Sequence, residues 1–191
     1  MEILAPAGNL ESFFAALEAG ADAIYVGLKA FSARALARNF TLAELSAMVA
    51  LTHQKGRKLY VALNALVKEG ERQELLENLA GLSDIKPDAL IIQDLGVHYL
   101  VRQQYPHLPL HASTLMTLHN SLGVVQAGDM GFKRVVLARE LSLKEIATIR
   151  RQSKIELEVF VHGALCFSVS GLCLFSSYLG ERKKPDSSWA R

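Results

Sequence analysis

Short runs of apolar and β-branched residues alternate along this chain with longer segments whose apolar positions recur at helical spacing. That alternation predicts a repeating strand and helix unit. Seven strands are expected, at Glu2–Ala5, Ala23–Gly27, Lys58–Asn64, Ala89–Gln93, Leu108–His111, Arg134–Ala138 and Glu156–Val161. Helices are expected between them. Asn9 precedes LESFFAALEAG, Thr41 precedes LAELSAMVALTHQKG, and Ser142 precedes LKEIATIRRQ, where Glu145 completes a capping-box pattern. Further helices are expected over Glu71–Leu82, Gly96–Gln104 and His119–Ala127, with Gly20, Gly56 and Gly128 as helix ends. Runs such as ALIIQ and RVVLA are continuously apolar, as strands of a helix-covered parallel sheet are.

Repeating units of this kind leave two main architectures, a closed eight-fold barrel or an open doubly wound sheet. No glycine-rich dinucleotide fingerprint follows the first strand, which argues against the second. Polar residues recur instead where strands finish: Asn64, Gln93 and Asp94, His111 and Ser113, Arg139 and Glu140, and His162. In a barrel such residues share the C-terminal rim, where barrel enzymes keep their chemistry. The expected fold is therefore α/β, a TIM-barrel-like (β/α) repeat of parallel strands with about seven of eight units present. It is expected to occupy residues 1–180 as an incomplete barrel, with 181–191, ERKKPDSSWAR, as a disordered polar tail.

Composition adds bounds. With 191 residues, 50% hydrophobic and 21% charged, the chain can bury a sizeable core. A net charge of +2 neither demands nor forbids a nucleic-acid partner. No apolar run approaches the roughly 20 residues that span a bilayer, and MEILAPAGN lacks the basic start of a signal peptide. A cytoplasmic protein without a membrane partner is expected. Two cysteines argue against a disulfide scaffold and fit a reducing compartment.

Both thiols lie in one stretch, EVFVHGALCFSVSGLCLFS, as Cys166 and Cys173. On a continuous helix this spacing would set them about 10 Å apart along the axis, too far for a disulfide. A single metal ion fits poorly unless Gly171 breaks the helix. A polynuclear iron-sulfur cluster tolerates the spacing but normally takes four thiolates. Free cysteine also serves simply to fill a core.

Glu158, Phe160, Gly163, Ala164, Leu165, Cys166, Gly171, Cys173 and Ser176 together resemble the signature of the U32 family, the collagenase-like peptidases. Phe175 departs from it, where the family usually carries an aliphatic residue. LAPAGNLESFFAALEAGADAIYVG, FSARALARNF, VALNAL, ALIIQDLGV, LHAST and RVVLAREL are similar to the family's successive blocks, so the resemblance covers residues 2 to about 180. It implies that Cys166 and Cys173 are metal ligands, two of the four that hold a [4Fe-4S] cluster in the family's hydroxylating members. The glycine, arginine and asparagine-rich loop and the two later cysteines of such members have no counterpart here, so a truncated form is expected, inactive by itself.

The resemblance divides on function. Hydroxylating relatives act without oxygen on pyrimidine bases of ribosomal or transfer RNA, with prephenate as the implied oxygen donor, and others act in ubiquinone synthesis. The alternatives are a collagenase-like peptidase acting on a peptide substrate, and a non-catalytic partner subunit that pairs with a complete relative in a homo- or heterodimer. For the peptidase, Ser113, Ser168 and Ser170 offer hydroxyls and His111 or His162 bases, but neither a GxSxG elbow nor an HExxH pair is present.

Under the hydroxylase reading the catalytic candidates are His111, Asn64 and Asp94. His111 could orient a carbonyl or relay a proton, Asn64 could read a base edge, and Asp94 could serve likewise or cap the helix after it. Gln93, Ser113, Arg139, Glu140, Lys29 and Arg34 are candidates for substrate binding. Arg139 suits a dicarboxylate or a phosphate, and with Glu140 it also suits a plain salt bridge. Lys29, Arg34 and Arg38, interleaved with Phe31 and Phe40, form the candidate RNA loop. His162, beside the thiols, is placed to hydrogen-bond a cluster sulfur.

Overall fold

Four parallel strands carry the first part of the chain: β1 (Leu4–Ala7), β2 (Ala23–Gly27), β3 (Lys58–Leu63) and β4 (Ala89–Ile92). Helices α1 (Leu10–Glu18), α2 (Leu42–Gln54), α3 (Arg72–Ile85) and α4 (Leu95–Gln104) alternate with them. The remainder repeats the pattern with β5 (Leu110–Ala112), α5 (Ser121–Asp129), β6 (Arg134–Val136), α6 (Leu143–Gln152) and β7 (Glu156–Glu158). This computed structural model describes residues 1–33, 38–163 and 166–173, and the chain divides into two compact units, residues 1–110 and 111 onward. The fold is a TIM-barrel-like (β/α) repeat with seven strands among the described residues.

In the first unit the register runs Leu4 beside Ala23, Ala23 beside Lys58 and Tyr60 beside Ala89, all parallel. Alternation then sorts the side chains. Ala23, Tyr60, Ala62, Ala89 and Ile91 form one buried cluster, with Leu4 and Tyr25 packed on it. The intervening residues Ile24, Leu59, Val61, Leu63, Leu90 and Ile92 are fully buried as well. Burial of both sets explains why these strands read as unbroken apolar runs. The helices contribute Phe13, Leu45, Leu79 and Leu82 to the buried set. In the second unit His111 pairs with Arg134, and Arg134 with Glu156.

The helix starts follow the sequence signals. Asn9, Thr41 and Ser142 each accept a hydrogen bond from the backbone N–H three residues on, and Glu44 and Glu145 reach back to close the boxes. Those bonds hold both carboxyls below their ordinary values: for Glu44 chiefly the backbone N–H of Thr41, for Glu145 chiefly the Ser142 hydroxyl. A carboxyl depressed by folding contributes stability above its unfolded value, near 4.3, and loses it as pH falls through the folded one. Amide protection in the first turn of α6, taken relative to the intrinsic exchange rate at each pH, is therefore expected to fall below about pH 4, and less steeply in Ser142→Ala.

Several boundaries differ from expectation. β1 sits two residues later than Glu2–Ala5. Glu2 is drawn away by its carboxylate, which accepts from Tyr60 Oη and Lys58 Nζ at 2.8 Å each. Pro6 is tolerated inside the strand because, among the described residues, β1 lies at the sheet's end and pairs with β2 alone. β5 begins two residues later than Leu108 and β7 stops at Glu158, leaving Val161 91% exposed. Gly128 lies inside α5 rather than at its end. The left-handed stop is Gly131, at φ 93°, while Gly20 and Gly56 do follow helix ends with positive φ. Lys86, not a glycine, takes the left-handed turn after α3.

Candidate functional site: the thiol loop and the strand ends

Within the first unit, the expected strand-end residues are tied to one another by the loops they carry. Asn64 Oδ1 accepts the Ala33 N–H at 3.0 Å, and Gln93 Nε2 donates to the Asn64 carbonyl at 2.6 Å. Asp94 caps α4, its Oδ1 accepting from Gly96 and Val97, while its Oδ2 accepts the Val67 N–H at 3.1 Å. These three side chains therefore build the loops after β2, β3 and β4. Lys29 is exposed. Arg34 lies outside the described residues. Phe40 is fully buried and bridges to Leu28, so of the two loop phenylalanines only Phe31 is partly open. Arg38 pairs with Glu44 at 3.3 Å on the surface.

Within the second unit, His111 and Ser113 are buried at and just after β5, and the Ser113 hydroxyl accepts from Leu115 to start a 3-10 turn. The loop after β6 presents Arg139 and Glu140, and the chain after β7 returns as the segment with both thiols. Ser170, completely buried, clasps the two loops together. Its Oγ accepts from the Arg139 backbone N–H and from Arg139 Nε, each at 3.2 Å, and its own N–H donates to Glu140 Oε1 at 2.7 Å. The other Glu140 oxygen lies 3.4 Å from His119 Nε2, and the imidazole's Nδ1 is 2.8 Å from the Thr117 carbonyl. Burial pushes the Glu140 carboxyl up, but the Ser170 N–H, the residue's own backbone N–H, the Ser170 hydroxyl and His119 together bring it below its ordinary value.

The clasp explains where the thiols stand. Cys166 and Cys173 are both exposed. The Ser168 N–H and then the Arg139 side chain hold the Cys166 thiol below its ordinary value, outweighing burial and the opposing charge of Glu140. A thiol so placed is more readily a thiolate, the form that attacks electrophiles and binds metals. His162 is exposed close by in sequence.

The same arrangement bears on an iron-sulfur group. The two thiols are accessible and share one loop, so neither of them fills a core. Among the described residues, however, no three His, Cys, Asp or Glu side chains come together to hold a metal ion. Two thiolates are half of the usual set for a four-iron cluster.

Sequence reasoning missed two features here. Ser170 entered only as a possible nucleophile, yet its bonds go to Arg139 and Glu140 rather than to an imidazole. Arg134 was read as part of an apolar strand. It is buried, and its guanidinium grips Glu156 at 2.6 Å and Glu158 at 3.4 Å. The pattern R-x-x at the start of one strand and E-x-E in the next carries that signal, but only once the register is known.

Comparison with known proteins converges on one group. Residues 8–187 match the profile of peptidase family U32. The chain belongs to that family. It is 41% identical over 182 residues to tRNA hydroxylation protein P of Haemophilus influenzae, covering 95% of this chain and 40% of that protein. It is 36% identical over 176 residues to the 23S rRNA 5-hydroxycytidine C2501 synthase of Escherichia coli, covering 92% of this chain and 26% of the other. This U32 chain thus spans less than half the length of these curated relatives. Among solved structures, that of the U32 peptidase Mk0906 superposes with a TM-score of 0.71 at 17% identity, covering 87% of this chain and 71% of the other. At that identity the likeness supports the barrel-like fold alone.

Proposed function

We propose that this U32 chain carries the thiol-presenting part of an RNA-base hydroxylase, in which Cys166 and Cys173 are iron ligands. The observation that carries the reading is the clasped loop, which holds an exposed Cys166 against a guanidinium and a backbone N–H. Relatives named for tRNA hydroxylation and for rRNA 5-hydroxycytidine synthesis support RNA as the substrate class. Bound there, an iron-sulfur group would supply electron-transfer chemistry. This chain's residues would hold and orient: the thiolates bind, Ser170 and Glu140 fix the loop, and Arg139 supplies a fixed positive charge suited to a phosphate or a carboxylate such as that of prephenate. Within the second unit, His111 and Ser113 are the candidates for contact with the base, whereas in the first unit Asn64, Gln93 and Asp94 hold loops together and Lys29 is exposed. His162 remains a candidate for a hydrogen bond to sulfur.

Anaerobic reconstitution with iron and sulfide is expected to leave iron on the chain, with two copies pooling thiolates where one cannot complete a four-thiolate set. Cys166→Ala and Cys173→Ala are each expected to abolish retention, measured by metal analysis of the desalted protein. In cells lacking the tRNA hydroxylation protein, a rise in hydroxylated pyrimidine on supplying the chain, read by mass spectrometry of digested tRNA, would show that it acts by itself, against the expectation of an inactive form. An iron-free wild type would defeat the ligand assignment. Retained iron with unchanged tRNA would point to the partner-subunit role.

The family name keeps a peptidase as the second reading. Cleavage of casein or collagen that disappears in Ser113→Ala would favour it.

A further inference from the structure

Phe167 stands fully exposed, at 108% of the reference value, directly after Cys166. A phenylalanine ring ordinarily buries about 150–250 Å² of surface; a ring exposed singly is common, and what sets this one apart is the pinned loop that carries it and the exposed Val161, Val169 and Leu172 of the same stretch. The loop bearing it is pinned rather than loose. Ser170 is clasped by Arg139 and Glu140, and Gly171 fits against the turn after β5, where an added Cβ would meet the Leu115 carbonyl at 2.9 Å. Phe160 and Val169, each about half exposed, border it in the chain. Arg139, itself exposed, donates from Nε to Ser170, three residues after Phe167, at 3.2 Å, so an aromatic ring and a guanidinium are carried by one clasped pair of loops.

We infer that Phe167 is a stacking platform for an unpaired RNA base, with Arg139 placed to take the adjoining phosphate. The inference rests on the RNA reading above and deepens it by naming what holds the base. Enzymes that modify a base take it out of the helical stack, and single-stranded bases are held on aromatic side chains whose π-face accepts any base. A neighbouring guanidinium fits the backbone charge. The joint presence of ring and cation favours a nucleic acid over a purely apolar protein surface.

The test measures binding of a fluorescent unstructured oligouridine, and of an RNA duplex, to the 191-residue chain by anisotropy. Phe167→Ala is expected to weaken oligouridine binding about ten-fold or more, Phe167→Trp to retain it, and the duplex to bind poorly throughout. With Trp189 replaced by phenylalanine, the Phe167→Trp indole is expected to be quenched on adding oligouridine, a signature that a merely structural role would not produce. Arg139→Gln is expected to flatten the salt dependence, and circular dichroism confirms that each variant is folded. Equal oligouridine affinity in Phe167→Ala, with the wild type binding, overturns the platform and leaves the hydroxylase reading standing. A Phe167→Ala variant that changes only the association state assigns the ring to a protein contact and overturns it too. A wild type that binds no RNA overturns both readings.

Discussion

Replacing Gly171 with alanine is expected to unseat the thiol loop, and with it the iron retention proposed above, while leaving most of the fold's stability intact. Gly171 adopts φ 82°, a left-handed conformation that costs an L-residue about 1–2 kcal/mol. Strain is only half of the effect. A Cβ there would stand 2.9 Å from the Leu115 carbonyl and from Thr117 Cγ2, and 3.0 Å from Thr117 Oγ1. The carbonyl belongs to the backbone of a 3-10 turn and cannot rotate away. The loop must therefore lift, which separates Ser170 from Glu140 and carries Cys166 off Arg139. Gly20→Ala is the control: its φ is 83°, but nothing lies within 4 Å of the added atom. That variant is expected to lose stability at the end of α1 and keep its thiol chemistry. Alkylation of Cys166 relative to Cys173, followed by peptide mapping, together with iron content, reads the difference. Unchanged alkylation and iron in Gly171→Ala would mean that the clasp does not set the thiols.

The largest loss of stability is expected from Leu90→Ala. Leu90 is completely buried in the middle of β4, in register with Val61, and its backbone N–H donates to the Pro109 carbonyl at 2.9 Å. The backbone bonds fix the strand, so the space left by the side chain cannot collapse fully. Such truncations cost about 2–5 kcal/mol, or on the order of 10 °C in Tm for a chain of this size. Leu143, 85% exposed at the first position of α6, provides the contrast. Leu143→Ala is expected to change stability by no more than about 0.5 kcal/mol. Urea denaturation of the two variants compares them directly.

How far the site was legible follows from the range of the interactions that make it. Cys166 and Cys173 were singled out because their chemistry is rare and their spacing is local, and the structure exposes both. The clasp was not, since Ser170 bonds residues 30 and 31 positions away, and no periodicity records such a pairing. Asp94 shows the reverse case. Its capping role was readable from the helix that follows it, whereas its second bond, to Val67, crosses 27 residues. Phe40, offered with Phe31 for stacking, proved to be core because the bridge to Leu28 turns it inward.

The sequence by itself determined the order and type of the elements, because hydrophobic period and helix caps act within a few residues. It also determined the helix starts at Asn9, Thr41 and Ser142 and the capping box at Ser142, and it located the thiols in a single segment. Only the tertiary structure decided where β1 and β5 begin, that Gly131 rather than Gly128 ends α5, and that Arg134 is a buried cation gripped by Glu156 and Glu158. Those outcomes depend on which strands lie side by side, and on backbone and charge contacts between residues far apart in the chain. The exposure of Phe167 beside the thiol that Arg139 holds belongs to the same class, because burial is a property of the folded neighbourhood and not of the residue.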